Sequence, residues 1–133
     1  MTDITLILKA AAFAADRHSN QRRKDKDASP YINHPLGLAH VLAEEGGVTD
    51  TAILCAALLH DTLEDTTTTL DELVEQFGTD IAGIVGEVTD DKKLEQDDRK
   101  RLHVEHAPHK SNPAKLVKLV DKICNLRDIA AST

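Results

Sequence analysis

Aromatic residues are almost missing from this chain: two Phe, one Tyr and no Trp among 133 residues. Its core must therefore be aliphatic, built from Leu, Ile, Val and Ala, and Ala and Leu favour helix over strand. Cysteine is scarce too. Cys55 and Cys124 form no Cys-x-x-Cys pair, so a zinc ribbon or a thioredoxin-like motif lacks its residues. Both thiols are expected to be free and buried in apolar helical patterns. The start, Met1-Thr2-Asp3-Ile4, has no basic leader or signal-type cleavage pattern, and no apolar run approaches membrane-spanning length. A soluble, reducing, cytoplasmic setting is expected. Basic charge is also short: 16 Lys and Arg against 23 Asp and Glu leave a net charge of −7. That argues against a broad nucleic-acid or anionic-membrane surface. A small anionic substrate stays open if basic residues cluster locally.

What is present reads as helix. Ile4, Ile7, Leu8, Ala11, Ala12 and Ala15 fall on one stripe of a first helix, Ile4 to His18. Ser19 to Asn33 is polar and irregular, a loop by composition. His34-Pro35 opens a second helix, with Leu38, Val41 and Leu42 inward and Gly46-Gly47 at its end. Thr49 or Asp50 can cap a third, from Ala52 to about Asp65. Thr69-Leu70-Asp71-Glu72 fits a capping box for a fourth helix that ends at Phe77-Gly78. A fifth covers about Asp80 to Val88, with Ile81, Ile84, Val85 and Val88 inward. Thr89 to Lys93 is a turn, Glu95 to Ala107 a charged sixth helix, and Pro108 to Asn112 a loop. Asn112-Pro113 starts a seventh, to at least Ile129, with apolar rows Val117, Val120, Cys124 and Leu116, Leu119, Ile123, Leu126. No strand, repeat or long linker is apparent, so an all-α bundle of about seven or more helices in one domain, 1–133, is expected. The last helix has no clear terminator, which leaves room for further helices beyond Thr133.

The chemistry concentrates in Cys55-Ala56-Ala57-Leu58-Leu59-His60-Asp61-Thr62-Leu63-Glu64-Asp65. If the helix runs through, His60, Glu64, Asp61 and Asp65 fall at roughly 0°, 40°, 100° and 140° about its axis. One edge then holds an imidazole and three carboxylates. Such crowding is costly in apolar surroundings unless the charge is neutralised, and a cation would do it. The helix is apolar all round before His60, so it is expected to be central, with its charged end facing a cleft. Asp121 arrives on the seventh helix, in a polar stripe with Lys118, Asn125 and Asp128. An ordinary solvated stripe is the plainer account of that row. His34 precedes a helix, where capping or packing is its plainer role. Together His34, His60, Asp61 and Asp121 offer two imidazoles and two carboxylates. That mixed set suits Mn²⁺, Fe²⁺, Co²⁺ or Zn²⁺ better than Ca²⁺ or Mg²⁺. His103, His106 and His109 recur every third residue, but Pro108 interrupts the series, and they read as surface residues. His18 and His40 read as packing or surface residues.

These residues carry a resemblance. His34…His60-Asp61…Asp121 resembles the metal set of the HD-domain phosphohydrolases. Longer stretches are similar to the hydrolase domain of the RelA/SpoT alarmone enzymes: Arg22-Arg23-Lys24-Asp25, Pro30-Tyr31-Ile32-Asn33-His34-Pro35, Ala56 to Thr66, Glu87-Val88-Thr89-Asp90-Asp91-Lys92 and Lys115 to Asp128. The likeness spans nearly the whole chain and is nearest to the small single-domain hydrolases of the metazoan SpoT-homologue type. It implies a compact HD-domain helical bundle and a manganese-dependent hydrolase that removes the 3′-pyrophosphate of (p)ppGpp. It implies that His34, His60, Asp61 and Asp121 hold the metal and that Glu64 and Asp65 are the catalytic pair. Arg23, Lys24 and Asn125 match substrate contacts, and Lys100 is a candidate phosphate contact. Members of this type usually carry further helical sequence after the position of Thr133.

Two other functions compete. NADPH also carries a phosphate on a ribose hydroxyl, which makes an NADPH 2′-phosphatase the rival within the class. A non-catalytic module that binds an alarmone and regulates a partner is the rival from another class. Such a relic would be expected to lose ligands or the acid pair, and all six residues are present here. A synthetase is not expected, since 133 residues leave no room for a second catalytic domain beside this one.

Overall fold

The computed structural model describes residues 2–23, 29–89 and 112–132. They form helices α1 (Ile4–Arg17), α2 (Asn33–Glu44), α3 (Thr51–Leu59), α4 (Thr62–Asp65), α5 (Leu70–Phe77), α6 (Thr79–Val88) and α7 (Asn112–Ser132). There is no strand among the described residues, only an isolated bridge between Arg22 and Pro30. The all-α expectation holds. The expected helix Glu95 to Ala107 lies outside the described residues, as do Lys24, Lys100 and the three spaced histidines. None of the described helices is long and apolar enough to cross a membrane.

Helix α3 is the axis of the bundle. It packs against α1, α2, α6 and α7, and its residues Leu54 to Leu59 are all buried. A segment without a polar face has no side to offer water, so neighbours must surround it. Asp50 starts it, accepting from the Ile53 N–H at 3.1 Å. Thr69 does the same for α5, accepting from Glu72 N–H at 3.2 Å. Gly78, at φ 91°, ends that helix in the left-handed region that glycine tolerates. Small residues line the contacts around α3: Ala10 and Ala14 from α1, Ala56 and Ala57 from α3 itself, and Ala114 from α7 are all at most 0% exposed. Side chains of one carbon let helix axes approach closely.

The structure departs from the sequence expectation in three places. On α1 the buried positions are Ala10 and Ala14, with Ile7 and Phe13 half-buried, while Ile4 and Leu8 are 68% and 63% exposed. On α7, Ala114, Val117 and Val120 are buried, but Leu119 and Leu126 of the second apolar row face solvent. The third departure concerns the central run. The helix does not continue to Asp65; it breaks at His60-Asp61 and resumes as the single turn α4. Two side chains take the carbonyls that a continuing helix would use. His60 Nδ1 lies 2.7 Å from the Ala57 oxygen, and the Thr62 hydroxyl donates to the Leu59 oxygen at 2.7 Å. Local side-chain bonds of this kind compete with the helical ladder. The angular positions expected for one continuous helix therefore do not apply.

Candidate metal centre

His34 sits in the first turn of α2, His60 and Asp61 at the α3–α4 break, and Asp121 midway along α7. The bundle brings them together. His34 Nε2 is 2.7 Å from Asp121 Oδ1. His60 Nε2 is 3.0 Å from Asp61 Oδ2 and 3.3 Å from Asp121 Oδ1. One ligand atom each from His34, His60 and Asp121 lies within 4.8 Å of the other two. Asp61 stands at the edge of this triad, touching His60.

The donor set fits a divalent transition metal. Atoms about 2.1 Å from a common ion lie about 3 Å apart when bound at right angles, which is the spacing seen. The His60 tautomer fits as well. A carbonyl can only accept, so Nδ1 carries the proton that goes to Ala57. A neutral ring then turns a bare Nε2 toward two carboxylates. That atom is buried and has no hydrogen-bond partner. The arrangement is repulsive unless a proton or a cation lies between. Without an ion, the two carboxylates favour a proton there. Burial alone would lower the His60 imidazole, but Asp121 and Asp61 outweigh it and raise it to about 10. Burial works against Asp121 and Asp61 too. His34 and His60 nevertheless hold Asp121 far below the usual carboxylate range, and His60, with help from Tyr31, lowers Asp61.

Around the centre lies a cavity of about 600 Å³, in the range of small-molecule sites. His34, Asp61 and Asp121 reach it from one side. Gln21, Arg22, Arg23 and Tyr31 line it from the loop after α1, and Asp65 and Asn125 from α4 and α7. Asp65 is exposed and Glu64 half-buried; Glu64 does not reach the lining. Arg23 Nη1 is held by Asp128 at 2.7 Å. Asp121 and Asn125 of the α7 polar stripe thus line the cavity, while Asp128 anchors a guanidinium beside it. His40 is exposed and pairs with Glu44. His18 is buried against Tyr31, their ring centroids 4.7 Å apart.

Two contributors carried no assigned role in the sequence. The Tyr31 hydroxyl donates to Asp61 Oδ2, and burial first, then Asp61, holds that phenol far above its ordinary range. Gln21 donates to the Asp65 carbonyl at 2.7 Å. Tyr31 could have been suspected as the sole tyrosine, three residues before His34. Gln21 leaves no comparable signal, since only the bridge between Arg22 and Pro30 brings it to Tyr31.

Comparison with known proteins defines the class. The HD domain description matches residues 10–133. A guanosine-3′,5′-bis(diphosphate) 3′-pyrophosphohydrolase of Xenopus tropicalis is 61% identical over 132 residues, which is 99% of this chain and 74% of that protein. The Homo sapiens protein of the same name is 58% identical over 127 residues, 96% of this chain and 71% of its own. A solved structure described as a metazoan ortholog of SpoT that hydrolyses ppGpp superposes with a TM-score of 0.85 at 44% identity, covering 100% of this chain and 75% of that one. The chain belongs to the HD-domain family, in its metazoan SpoT-type branch of small alarmone hydrolases.

Proposed function

We propose that this chain hydrolyses the 3′-pyrophosphate of (p)ppGpp, giving GDP or GTP and pyrophosphate, with Mn²⁺ as its ion. The observation that carries the proposal is a set of two imidazoles and a carboxylate, spaced for one ion, at a cavity that also presents Arg22 and Arg23. Likeness to relatives named for this reaction supports it. His34, His60, Asp61 and Asp121 are proposed as the metal residues. When bound, a divalent ion lowers the pKa of water and polarises a phosphoryl oxygen.

The chain's own groups would do the rest. Arg23, with Lys24 beside it in sequence, would draw the pyrophosphate in. Arg23 would exchange its Asp128 partner for two oxygens of a phosphoryl group, a bidentate match for a guanidinium. Asn125 can donate to the substrate from α7, and Lys100 is retained as a candidate phosphate contact. The bond to break joins phosphorus to the ribose 3′ oxygen. A ribose alkoxide leaves poorly without a proton, and the attacking water must lose one. Glu64 and Asp65 are proposed to divide that traffic, with Asp65 on the cavity side positioned to accept from water.

The test is incubation of the chain with Mn²⁺ and either ppGpp or NADPH, with pyrophosphate and phosphate measured separately. Pyrophosphate from ppGpp, lost on chelation and in Asp121→Ala, is the expected result. Phosphate from NADPH alone would replace the substrate assignment. Tight ppGpp binding without turnover would make the chain a regulatory module.

A further inference from the structure

Tyr31 lies outside the metal-ligating residues yet is built into the centre. We propose that Tyr31 is a positioning residue for the metal site: its hydroxyl, donating to Asp61 Oδ2, holds that carboxylate against His60 in the orientation that receives the ion. This rests on the metal reading of the His34, His60 and Asp121 cluster.

The oxygen that Tyr31 engages is the one 3.0 Å from His60 Nε2, so the hydroxyl acts where Asp61 meets the ligand set. Asp61 needs such a partner more than Asp121 does. Asp121 is fixed by two imidazoles, at 2.7 and 3.3 Å, whereas Asp61 touches one of them and sits at the edge of the triad. A carboxylate at a helix break, facing a cavity lined by two arginines, has alternative orientations. The phenol removes them. It also does so at no cost in charge. A lysine or arginine in its place would neutralise Asp61 and compete with the ion, while a neutral donor orients the carboxylate and leaves its charge for the metal.

The phenol is itself held rigidly. Its ring packs on His18, at 4.7 Å and an interplanar angle of 39°, and on His34, at 6.0 Å and 60°. Its backbone N–H donates to the Gln21 carbonyl at 3.0 Å. The Gln21 side chain is fixed in turn by His18 Nδ1, 2.7 Å from Oε1, and by its bond to the Asp65 carbonyl. The two buried rings and one amide give the hydroxyl a single place to point.

The test uses the whole chain stripped of metal with EDTA. Tyr31→Phe keeps the ring in its slot and deletes only the hydroxyl. Mn²⁺ affinity, read by calorimetry or from the free-ion resonance signal, is expected to fall about 10–100-fold, the usual effect of losing an outer partner of a ligand, while the metal-free chain keeps a cooperative melt, lowered by no more than the loss of one hydrogen bond. Combined with Asp61→Asn, Tyr31→Phe should add no further loss. Unchanged affinity in Tyr31→Phe, or losses that add in the double variant, would overturn the proposal and leave the metal site standing. No Mn²⁺ binding by the parent chain would remove both. A second measurement needs no Tyr31 variant. Tyr31 is the sole tyrosine and there is no tryptophan, so tyrosine emission comes from this ring alone. A carboxylate that accepts from a phenol quenches it. Metal-free Asp61→Asn should therefore brighten, and unchanged emission would refute the contact.

Discussion

Thr62→Val tests why the central helix stops where it does. The residue is fully buried, and its hydroxyl donates to the Leu59 carbonyl at 2.7 Å. Valine has nearly the same shape, so packing survives and the loss is a hydrogen bond with a buried acceptor left behind. Such a loss costs about 1–3 kcal/mol. For a domain of this size each kcal/mol moves the melting temperature by about 3–4 °C, so Thr62→Val should melt roughly 3–12 °C lower. Thr62→Ser is the matched control. It keeps the hydroxyl and loses one methyl, at about 1 kcal/mol. The two variants should separate in metal binding. Once the hydroxyl is gone, nothing at Thr62 opposes extension of α3 through His60-Asp61, and the two ligands rotate away from His34 and Asp121. Mn²⁺ affinity should then fall roughly 10-fold in the valine variant, comparable to losing an outer partner, and stay near parental in the serine variant. Melts followed by far-ultraviolet circular dichroism with EDTA, and Mn²⁺ calorimetry on the same proteins, read both effects. A valine variant as stable as the parent, with parental Mn²⁺ affinity, would refute this account of the break.

Two further outcomes follow from the site. His60 titrates near 10 in the metal-free chain, so at neutral pH the ion must displace its proton; binding should release one proton, and affinity should rise with pH until that value is reached. Calorimetry in buffers of different ionisation heat counts the protons, and a count of zero would sink the idea of a proton held in the ion's place. Glu64→Ala should leave Mn²⁺ affinity close to parental while ppGpp turnover drops at least about 100-fold, the lower range for losing a general acid or base; equal losses in both would mean that Glu64 supports the metal instead.

Much of the architecture was legible because its signals were local. The caps at Asp50 and Thr69 and the glycine at Gly78 act within a turn of their own position. The all-apolar run from Leu54 to Leu59 could only be a central helix. The α1 face was misplaced for a physical reason. The five alanines of that helix cover a broad arc, so both edges of its apolar face look alike in sequence, and tertiary packing chose the edge with Ala10 and Ala14 over the stripe through Ile4 and Leu8. The α3–α4 break was illegible because His, Asp, Thr and Leu are all tolerable in a helix; the bonds from His60 and Thr62 decide it. Of the site, His60 and Asp61 stood out by residue type and spacing, while His34 and Asp121 joined them as metal residues through the family resemblance; the structure brings the four near one another, Asp61 at the rim. Tyr31 and Gln21 were not assigned, since their roles depend on contacts made only after the chain folds back on itself.

The alanines around α3 carry a consequence for how such a centre can drift. Ligands delivered by separate helices are spaced by the distance between helix axes, and that distance is gauged beneath the site by side chains of a single carbon. Ala57 of α3 and Ala114 of α7 are both fully buried, on two helices that pack together. Enlarging either to valine would press on the helices packed around it, because an interior at native density has no slack to absorb added atoms. His60 would then part from Asp121 with every ligand still present. The ion preferred by such a centre is thus open to change through substitutions in the dry core, at positions that never meet metal, water or substrate.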